Sequence, residues 1–159
     1  MLESVHRRAL LTLLNKLEGF PHPWVVTGSC GMALQGMPLE VHDIDLQTTA
    51  PGALAMEQIL GGQPLSRVTY KSSEKIRSFL GSLELENIKI EIMGDVQKLL
   101  PNGSWEEPMD ISTHRIWVSF ENQRVPVFSL EYEQQAYLLM GRPRRAAQIQ
   151  EWLKNAAKR

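Results

Sequence analysis

The sequence predicts an α+β fold in which a mixed β-sheet is covered by helices and followed by a helical tail. Three observations predict it. Apolar residues recur at helical spacing near both ends of the chain, short apolar or alternating segments occupy the middle, and no linker-like change of composition divides them. We therefore expect one domain over residues 1–159, with residues 129–159 forming the helical tail.

The first third of the chain alternates helices with strands. Helical spacing of leucines, stopped by Gly19 and Pro21, predicts the first helix, and Ser29 is the expected N-cap of the second. The elements expected here are a helix over 2–17, a strand over 24–27, a brief helix over 30–35, a strand over 43–47 and a helix over 53–60.

The rest of the sequence predicts a series of strands followed by two helices. Glu86-Asn87 is expected to form a tight turn between two strands. The elements expected are strands over 67–70, 78–85 and 88–93, a loop over 100–110, a hairpin of 115–120 with 124–128, and tail helices over 130–140 and 143–157, separated at Gly141.

Composition excludes several classes of protein. The formal net charge of −1 argues against a broad, non-specific nucleic-acid surface, so a nucleic-acid partner is not expected. No apolar run is long enough to span a membrane. Cys30 is the only cysteine, which rules out an intramolecular disulfide and fits a cytoplasmic location.

Asp43-Ile44-Asp45 is a candidate metal-binding pair. Residues two apart on a strand share a face, so the two carboxylates project together while Ile44 faces the core. Adjacent carboxylates repel each other unless a cation lies between them, and a hard divalent ion such as Mg²⁺ prefers oxygen ligands. The same pattern also fits a solvated strand end that carries two acids.

Gly28-Ser29 is a candidate phosphate-binding turn. It joins a strand to a helix, where free backbone N–H groups can bind an anion. Glycine allows the backbone to approach a ligand closely, and serine adds a hydroxyl donor. An ordinary serine-capped turn would show the same residues. Together with the acidic pair, however, the turn indicates a site for a metal ion and a triphosphate.

Val25-Val26-Thr27-Gly28-Ser29 followed by Asp43-Ile44-Asp45-Leu46 resembles the signature of the nucleotidyltransferase superfamily, the DNA polymerase β-like group, in its small minimal and antibiotic nucleotidyltransferase branch. The resemblance implies that Gly28-Ser29 holds the nucleotide phosphates. It further implies that Asp43 and Asp45 hold two Mg²⁺ ions, and that a third carboxylate, here Glu91, ligates one ion and helps deprotonate an acceptor hydroxyl.

Alternation over residues 88–93 supports Glu91 as the third carboxylate. Three isoleucines share one face of this segment, which leaves Glu91 on the other. If the strand neighbours the one that carries Asp45, Glu91 points to the same side as that residue. Asp95 follows Gly94, where alternation ends, and is expected to cap the next turn. Alternatively, Glu91 pairs only with Lys89 or Lys75 at the surface.

The implied reaction moves a nucleoside monophosphate, AMP in our expectation, from an NTP to a hydroxyl-bearing small molecule or protein. Small relatives often carry a lysine and acidic residues in the tail, where this chain has Tyr137, Arg145 and Gln148. The candidates for the triphosphate's counter-charge are Lys75, Arg77 and Arg142. The alternative hypothesis is a non-catalytic member of the fold that binds nucleotide or a protein, as one half of a toxin–antitoxin-type pair.

Overall fold

The computed structural model describes residues 2–158. Its elements are α1 Ser4–Lys16, β1 Trp24–Thr27, α2 Gly28–Leu34, β2 Ile44–Thr48, α3 Ala50–Leu60, β3 Gln63–Ser72, β4 Ile76–Leu85, β5 Ile88–Lys98, α4 Ile111–His114, β6 Arg115–Phe120, β7 Gln123–Phe128, α5 Leu130–Leu139 and α6 Pro143–Ala157. This order confirms the predicted α+β fold and the tail helices. Within residues 2–158, no helix combines the length and apolar character that crossing a membrane requires.

The strands form one mixed sheet in the order β3-β4-β5-β2-β1-β7-β6. β2 runs parallel to β5 and β1 runs parallel to β7, while the other neighbours are antiparallel. The strand that precedes Gly28 and the two strands predicted to carry acidic residues are therefore adjacent in the middle of the sheet.

One face of the sheet packs against α1 and α3. The alternating apolar residues of β2 and β5 lie in this core, which explains the orientation of both strands. The fully or almost fully buried members from the two strands are Ile44, Leu46, Ile90 and Ile92. The polar residues between them must consequently project from the other face.

The helical tail packs on the other face. Tyr132 and Ala136 of α5 contact Val25 and Phe128 of the sheet. A second apolar cluster joins α5 and α6 to α2 and the segment that follows it, through Met32, Met37, Leu130, Tyr137, Ala146 and Ile149. The tail thus lies opposite the polar side chains of β2 and β5.

Two hairpin turns agree with the sequence pattern. Glu86 and Asn87 connect β4 to β5, and Glu121 and Asn122 connect β6 to β7. All four residues have positive φ, between 50° and 65°. Two consecutive residues of positive φ match the right-handed twist of the paired strands, as in a type I′ turn.

The prediction that Ser29 caps α2 is wrong. The helix begins at Gly28, two residues earlier than expected, and Thr27 is the N-cap residue. Thr27 makes no side-chain cap bond because its hydroxyl donates to another side chain, Glu133. The third helix also begins early, at Ala50, because Thr49 accepts a hydrogen bond from the Gly52 N–H and so caps it.

The strand that carries Glu91 is longer than predicted. It continues through Gly94 to Lys98, and the register against β4 shifts near Asp95, whose φ is 50°. Such a shift is a β-bulge, which interrupts alternation without ending the strand. Asp95 does not cap the next turn; it accepts a hydrogen bond from Ala50 N at 3.0 Å, at the start of α3.

Candidate active site

Three polar residues stand side by side on adjacent central strands. Thr27 of β1 lies opposite Asp45 of β2, and Asp45 lies opposite Glu91 of β5. Because directly paired residues project to the same face of a sheet, all three side chains point away from the α1–α3 core. The structure therefore confirms the neighbouring strands and the orientation that alternation predicted for Glu91.

These side chains line a cavity of about 210 Å³ between the sheet and α5. Its polar wall on the sheet side comprises Thr27, Gly28, Asp45, Gln47 and Glu91. Tyr132, Glu133, Tyr137 and the exposed Arg142 line it from the tail, and Ile76, Met93, Val96, Lys98, Ala136 and Met140 complete it. The cavity thus joins a carboxylate-bearing sheet surface to an aromatic and basic helical surface.

Gly28 lies directly against the carboxylate of Asp45. A Cβ built at position 28 would be 2.5 Å from Asp45 Oδ2, and the φ of Gly28 is +66°. Both the close approach and the positive φ disfavour any other residue. The strand-to-helix turn and the central aspartate are therefore one local unit, as the sequence pattern predicted.

Burial and neighbouring negative charge both raise the pKa of Asp45. Burial is the largest cause that raises the pKa of this carboxyl, and the charges of Glu91 and Asp43 raise it further, to about 7. The positive charges of Lys89 and Arg142 oppose the rise. Asp45 is thus a carboxylate whose charge is poorly neutralised by the protein alone.

Asp43 lies one residue before β2, so only Asp45 of the acidic pair is a strand residue. Lys89 Nζ lies 3.9 Å from Asp43 Oδ2 and 3.7 Å from Glu91 Oε2. The pairing of Glu91 with Lys89 that the sequence left open is therefore present. It coexists with the placement of Glu91 beside Asp45.

Glu133 is a buried carboxylate of the site that the sequence analysis missed. Its Oε1 accepts a 2.5 Å hydrogen bond from Thr27 Oγ1, and its Oε2 accepts one of 3.3 Å from Gly28 N. The residue is 4% exposed, and burial raises its pKa to about 7 against the lowering effect of both hydrogen bonds. It shares one helix face with Tyr132, Ala136 and Tyr137, so an acid within an apolar stripe was the available signal.

Ser29 and Lys75, which were predicted to bind the nucleotide phosphates, lie outside the cavity. Ser29 is half-buried in the first turn of α2, and it does not line the cavity. Lys75 is an exposed residue of the turn between β3 and β4, with its ammonium group beside Gly141. Within residues 2–158, no three side chains among His, Cys, Asp and Glu are gathered closely enough to form a preassembled metal centre.

Comparison with solved structures finds proteins that are similar to this chain in fold and, in one case, in sequence. A Thermotoga maritima protein that is provisionally assigned as a nucleotidyltransferase is 42% identical, with a TM-score of 0.85 over 98% of this chain and 96% of that one. No curated protein sequence matches the chain.

Two antibiotic-modifying proteins share the fold at lower identity. A lincosamide antibiotic adenylyltransferase with bound lincomycin is 15% identical, with a TM-score of 0.54 over 80% of this chain and 83% of that one. The antibiotic-resistance factor ANT(2'')-Ia is 13% identical, with a TM-score of 0.59 over 96% and 86%. The model of the aminoglycoside-2''-adenylyltransferase family matches residues 9–152. The chain therefore belongs to this family, in the small branch of the nucleotidyltransferase superfamily.

Proposed function

We propose that this chain is an Mg²⁺-dependent nucleotidyltransferase that moves AMP from ATP to a hydroxyl group of a small molecule. The observation that carries the proposal is the register of the central strands, which sets Asp45 beside Glu91 and against Gly28 in one cavity. Family membership supports the reaction class, since the family is one of adenylyltransferases.

The carboxylates of the cavity suit a divalent cation. Asp45 is buried and feels the negative charges of Glu91 and Asp43. A bound cation relieves that repulsion, and Mg²⁺ favours carboxylate oxygens. We propose that Asp43, Asp45 and Glu91 hold the metal, and that two ions bind there. When bound, the metal would neutralise charge on the entering and leaving oxygens of an in-line displacement at phosphorus.

Other residues of the site would accept the proton of the acceptor, bind phosphate and position the backbone. Glu91 would accept the proton of the acceptor hydroxyl, because it faces the cavity on the strand beside Asp45. Ser29, in the first turn of α2, would donate to a phosphate oxygen. Gly28 would keep the backbone close to Asp45, while its N–H remains bonded to Glu133.

A small acceptor is favoured over a protein side chain. One structural relative binds the antibiotic lincomycin, and ANT(2'')-Ia has been captured with adenylyl-2''-tobramycin. The site also lies in a cavity between sheet and helix, which a compact hydroxyl compound enters more readily than a folded protein. Within the cavity, apolar side chains such as Met93 and Met140 would contact the acceptor or the base of the nucleotide.

The direct test is an assay of nucleotidyl transfer. The protein is incubated with Mg²⁺, each of the four NTPs and a panel of hydroxyl compounds that includes aminoglycosides and lincosamides, and pyrophosphate release is followed. Mass spectrometry then checks for an acceptor that has gained one nucleotide. We expect ATP to be the preferred donor, and chelation of the metal to abolish turnover.

Matched variants connect that activity to the proposed residues. Asp45→Asn and Glu91→Gln should each lower kcat by about 100-fold or more, as loss of a metal ligand or a base does. Asp95→Asn is the control, because its amide oxygen can still accept from Ala50 N. Tight Mg²⁺–NTP binding without transfer to any acceptor would instead support the non-catalytic hypothesis.

A further inference from the structure

Asp43 is one of the proposed metal ligands, yet it lies outside regular secondary structure. It belongs to the segment between the end of α2 at Leu34 and the start of β2 at Ile44. The pairing of β2 with its neighbours begins at Ile44 and Asp45, so the pairing that fixes Asp45 does not include Asp43. The position of the Asp43 carboxylate must therefore depend on contacts of the preceding segment.

His6 of α1 is a buried polar residue that contacts this segment. It is 6% exposed, and its ring Nε2 lies 2.9 Å from the carbonyl oxygen of His42, 36 positions away. Because a carbonyl oxygen only accepts, Nε2 carries the hydrogen and donates it. The other ring nitrogen, Nδ1, is buried and has no hydrogen-bond partner among residues 2–158. Within those residues, the bond to His42 is thus the hydrogen bond that this ring makes.

Packing in the core does not explain a histidine at position 6. The other buried residues of α1 between Ser4 and Lys16 are alanine and leucine, and they face the apolar core. Burying an imidazole among them costs free energy unless the ring is hydrogen-bonded, whereas a leucine would carry no such cost. The contact with His42 therefore distinguishes histidine from an apolar residue at this position.

The bond acts on the peptide unit that leads into Asp43. The carbonyl oxygen of His42 lies in one plane with the backbone nitrogen and Cα of Asp43, because the peptide bond is planar. Holding that oxygen restricts the orientation of the plane from which Asp43 projects. The side chain of His42 is 76% exposed, so its backbone is the part that is held. Val41, one residue earlier, is buried in the core and provides a second attachment.

We propose that His6 is a positioning residue for the metal site, because it holds Asp43 where its carboxylate can share a divalent cation with Asp45 and Glu91. The inference rests on the proposed function, in which these three carboxylates bind the metal. The other contact of Asp43 is with the half-exposed Lys89, 3.9 Å from Oδ2, and an exposed ion pair restrains a side chain weakly. Helix α1 thus contributes to the site although it packs on the opposite face of the sheet.

Mn²⁺ binding and NMR spectroscopy of two His6 variants test the assignment. His6→Leu removes the donor and keeps an apolar side chain in the core, while His6→Gln keeps an N–H that can reach the same oxygen. We expect His6→Leu to weaken Mn²⁺ binding, measured by electron paramagnetic resonance, by about 10-fold, as loss of a group that orients a metal ligand does. His6→Gln should bind Mn²⁺ nearly as wild type does.

Two NMR measurements on metal-free protein follow the positioning itself. The ¹⁵N order parameter of the Asp43 amide should fall from about 0.85 in wild type to below about 0.6 in His6→Leu, and it should stay high in His6→Gln. In wild type, the long-range ¹H–¹⁵N spectrum of the His6 ring should show the hydrogen on Nε2. A hydrogen on Nδ1 alone would overturn the inference, because Nε2 could then not donate to His42.

Leu13→Ala is the control for general destabilisation. Leu13 is fully buried in α1, about two turns beyond His6, so its truncation loosens the core without removing the donor to His42. We expect folded Leu13→Ala to bind Mn²⁺ nearly as wild type does. An equal loss of affinity in Leu13→Ala and His6→Leu would overturn the inference, since it would assign the loss to stability alone.

The remaining outcomes separate this inference from the proposed function. Wild-type Mn²⁺ affinity in His6→Leu, or a failure of His6→Gln to retain affinity, overturns the positioning role. If Asp43→Asn still weakens Mn²⁺ binding in that case, the metal role of the carboxylates stands. If Asp43→Asn, Asp45→Asn and Glu91→Gln all bind Mn²⁺ as wild type does, the proposed metal ligands are wrong and this inference falls with them.

Discussion

Thr27 and Glu133 are joined by a 2.5 Å hydrogen bond, although 106 positions separate them in the sequence. The bond connects the end of β1 to the middle of α5, beside the turn that lies against Asp45. The second oxygen of Glu133 accepts from Gly28 N. Through this buried carboxylate, the helical tail fixes the wall of the candidate site.

The first prediction concerns the hydrogen bonds of Glu133. Glu133→Ala would leave the Thr27 hydroxyl and the Gly28 N–H without their partner in a buried place, which should lower the free energy of unfolding by about 2–4 kcal/mol. Glu133→Gln should cost less than about 1 kcal/mol. Its amide can donate to Thr27 and accept from Gly28 N, so both contacts can persist without a buried charge. Urea denaturation at pH 7.5 measures the difference, and equal losses in the two variants would contradict it.

The second prediction concerns the pH dependence of stability. The pKa values of Asp45 and Glu133 are raised from 3.8 and 4.5 to about 7 in the folded protein. The folded state therefore keeps these protons between about pH 4 and pH 7, where the unfolded state has released them. The contribution of these two carboxyls to the free energy of unfolding is fully present below pH 4 and is lost as the pH rises to about 7.

Urea denaturation of metal-free protein between pH 5 and pH 8 checks that dependence. The pKa of Asp45 is affected by the charges of Asp43, Glu91, Lys89 and Arg142. The pKa of Glu133 is affected by the charges of Asp45 and Lys98. We expect the decline in stability to be shallower in Asp45→Asn and in Glu133→Gln than in wild type. Saturating Mg²⁺ should also flatten it if the cation binds Asp45. An unchanged slope in both variants would show that other groups cause the decline.

The sequence predicted the central sheet because β1, β2 and the first half of β5 each carry an apolar or alternating local pattern. Alternation oriented Glu91 correctly because β5 has one apolar and one polar face, and only one of these can face α1 and α3. From Gly94 onward the alternation no longer predicted a strand, because the bulge near Asp95 depends on the partner strand β4 and on α3. Local residues therefore predicted the existence of the strand but not its length.

Glu133 and Arg142 were harder to assign because their roles depend on tertiary placement. Nothing near Glu133 in the sequence identifies Thr27 as its partner, and an acid on α5 also fits a solvated helix face. Arg142 was one of three candidate cations in the sequence, and its position over the ring of Tyr137 at the edge of the cavity depends on how the tail packs. Long-range side-chain partners, unlike strand orientation, leave no periodic signal in the sequence.

The third prediction concerns Gly28. Gly28→Ala adds a methyl group at positive φ and within 2.5 Å of Asp45 Oδ2, so it should both destabilise the fold and displace that carboxylate. Gly61→Ala is a matched control, because Gly61 has a similar φ of +63° but open space around its Cα. Gly61 has a φ of 63° and a ψ of −116°, a conformation that alanine adopts at a cost, so we expect Gly61→Ala to lower stability by about 1–3 kcal/mol with Mn²⁺ affinity unchanged. Gly28→Ala should additionally weaken Mn²⁺ binding, and equal Mn²⁺ affinity in the two variants would contradict the role of the close approach.

The last prediction concerns Lys89, which lies between two of the proposed metal ligands. Its ammonium is within 4 Å of both Asp43 and Glu91, so in the metal-free protein it is their shared counter-ion. The side chain is 43% exposed, and an exposed pair of this kind contributes little to stability. A divalent cation at the same carboxylates would be repelled by the ammonium, so Lys89 should weaken metal binding.

Lys89→Met should therefore raise the affinity for Mn²⁺ by roughly threefold to tenfold, since it removes one nearby positive charge in a partly solvated site. Electron paramagnetic resonance of free Mn²⁺ measures this directly and needs no acceptor substrate. Lys71→Met is the matched control, because Lys71 is an exposed lysine of β3 whose Nζ donates to Ser66 Oγ, at 3.5 Å, and none of the ion pairs of residues 2–158 includes it. A loss of affinity in Lys89→Met would instead mean that the ammonium orients Asp43 and Glu91 for the metal.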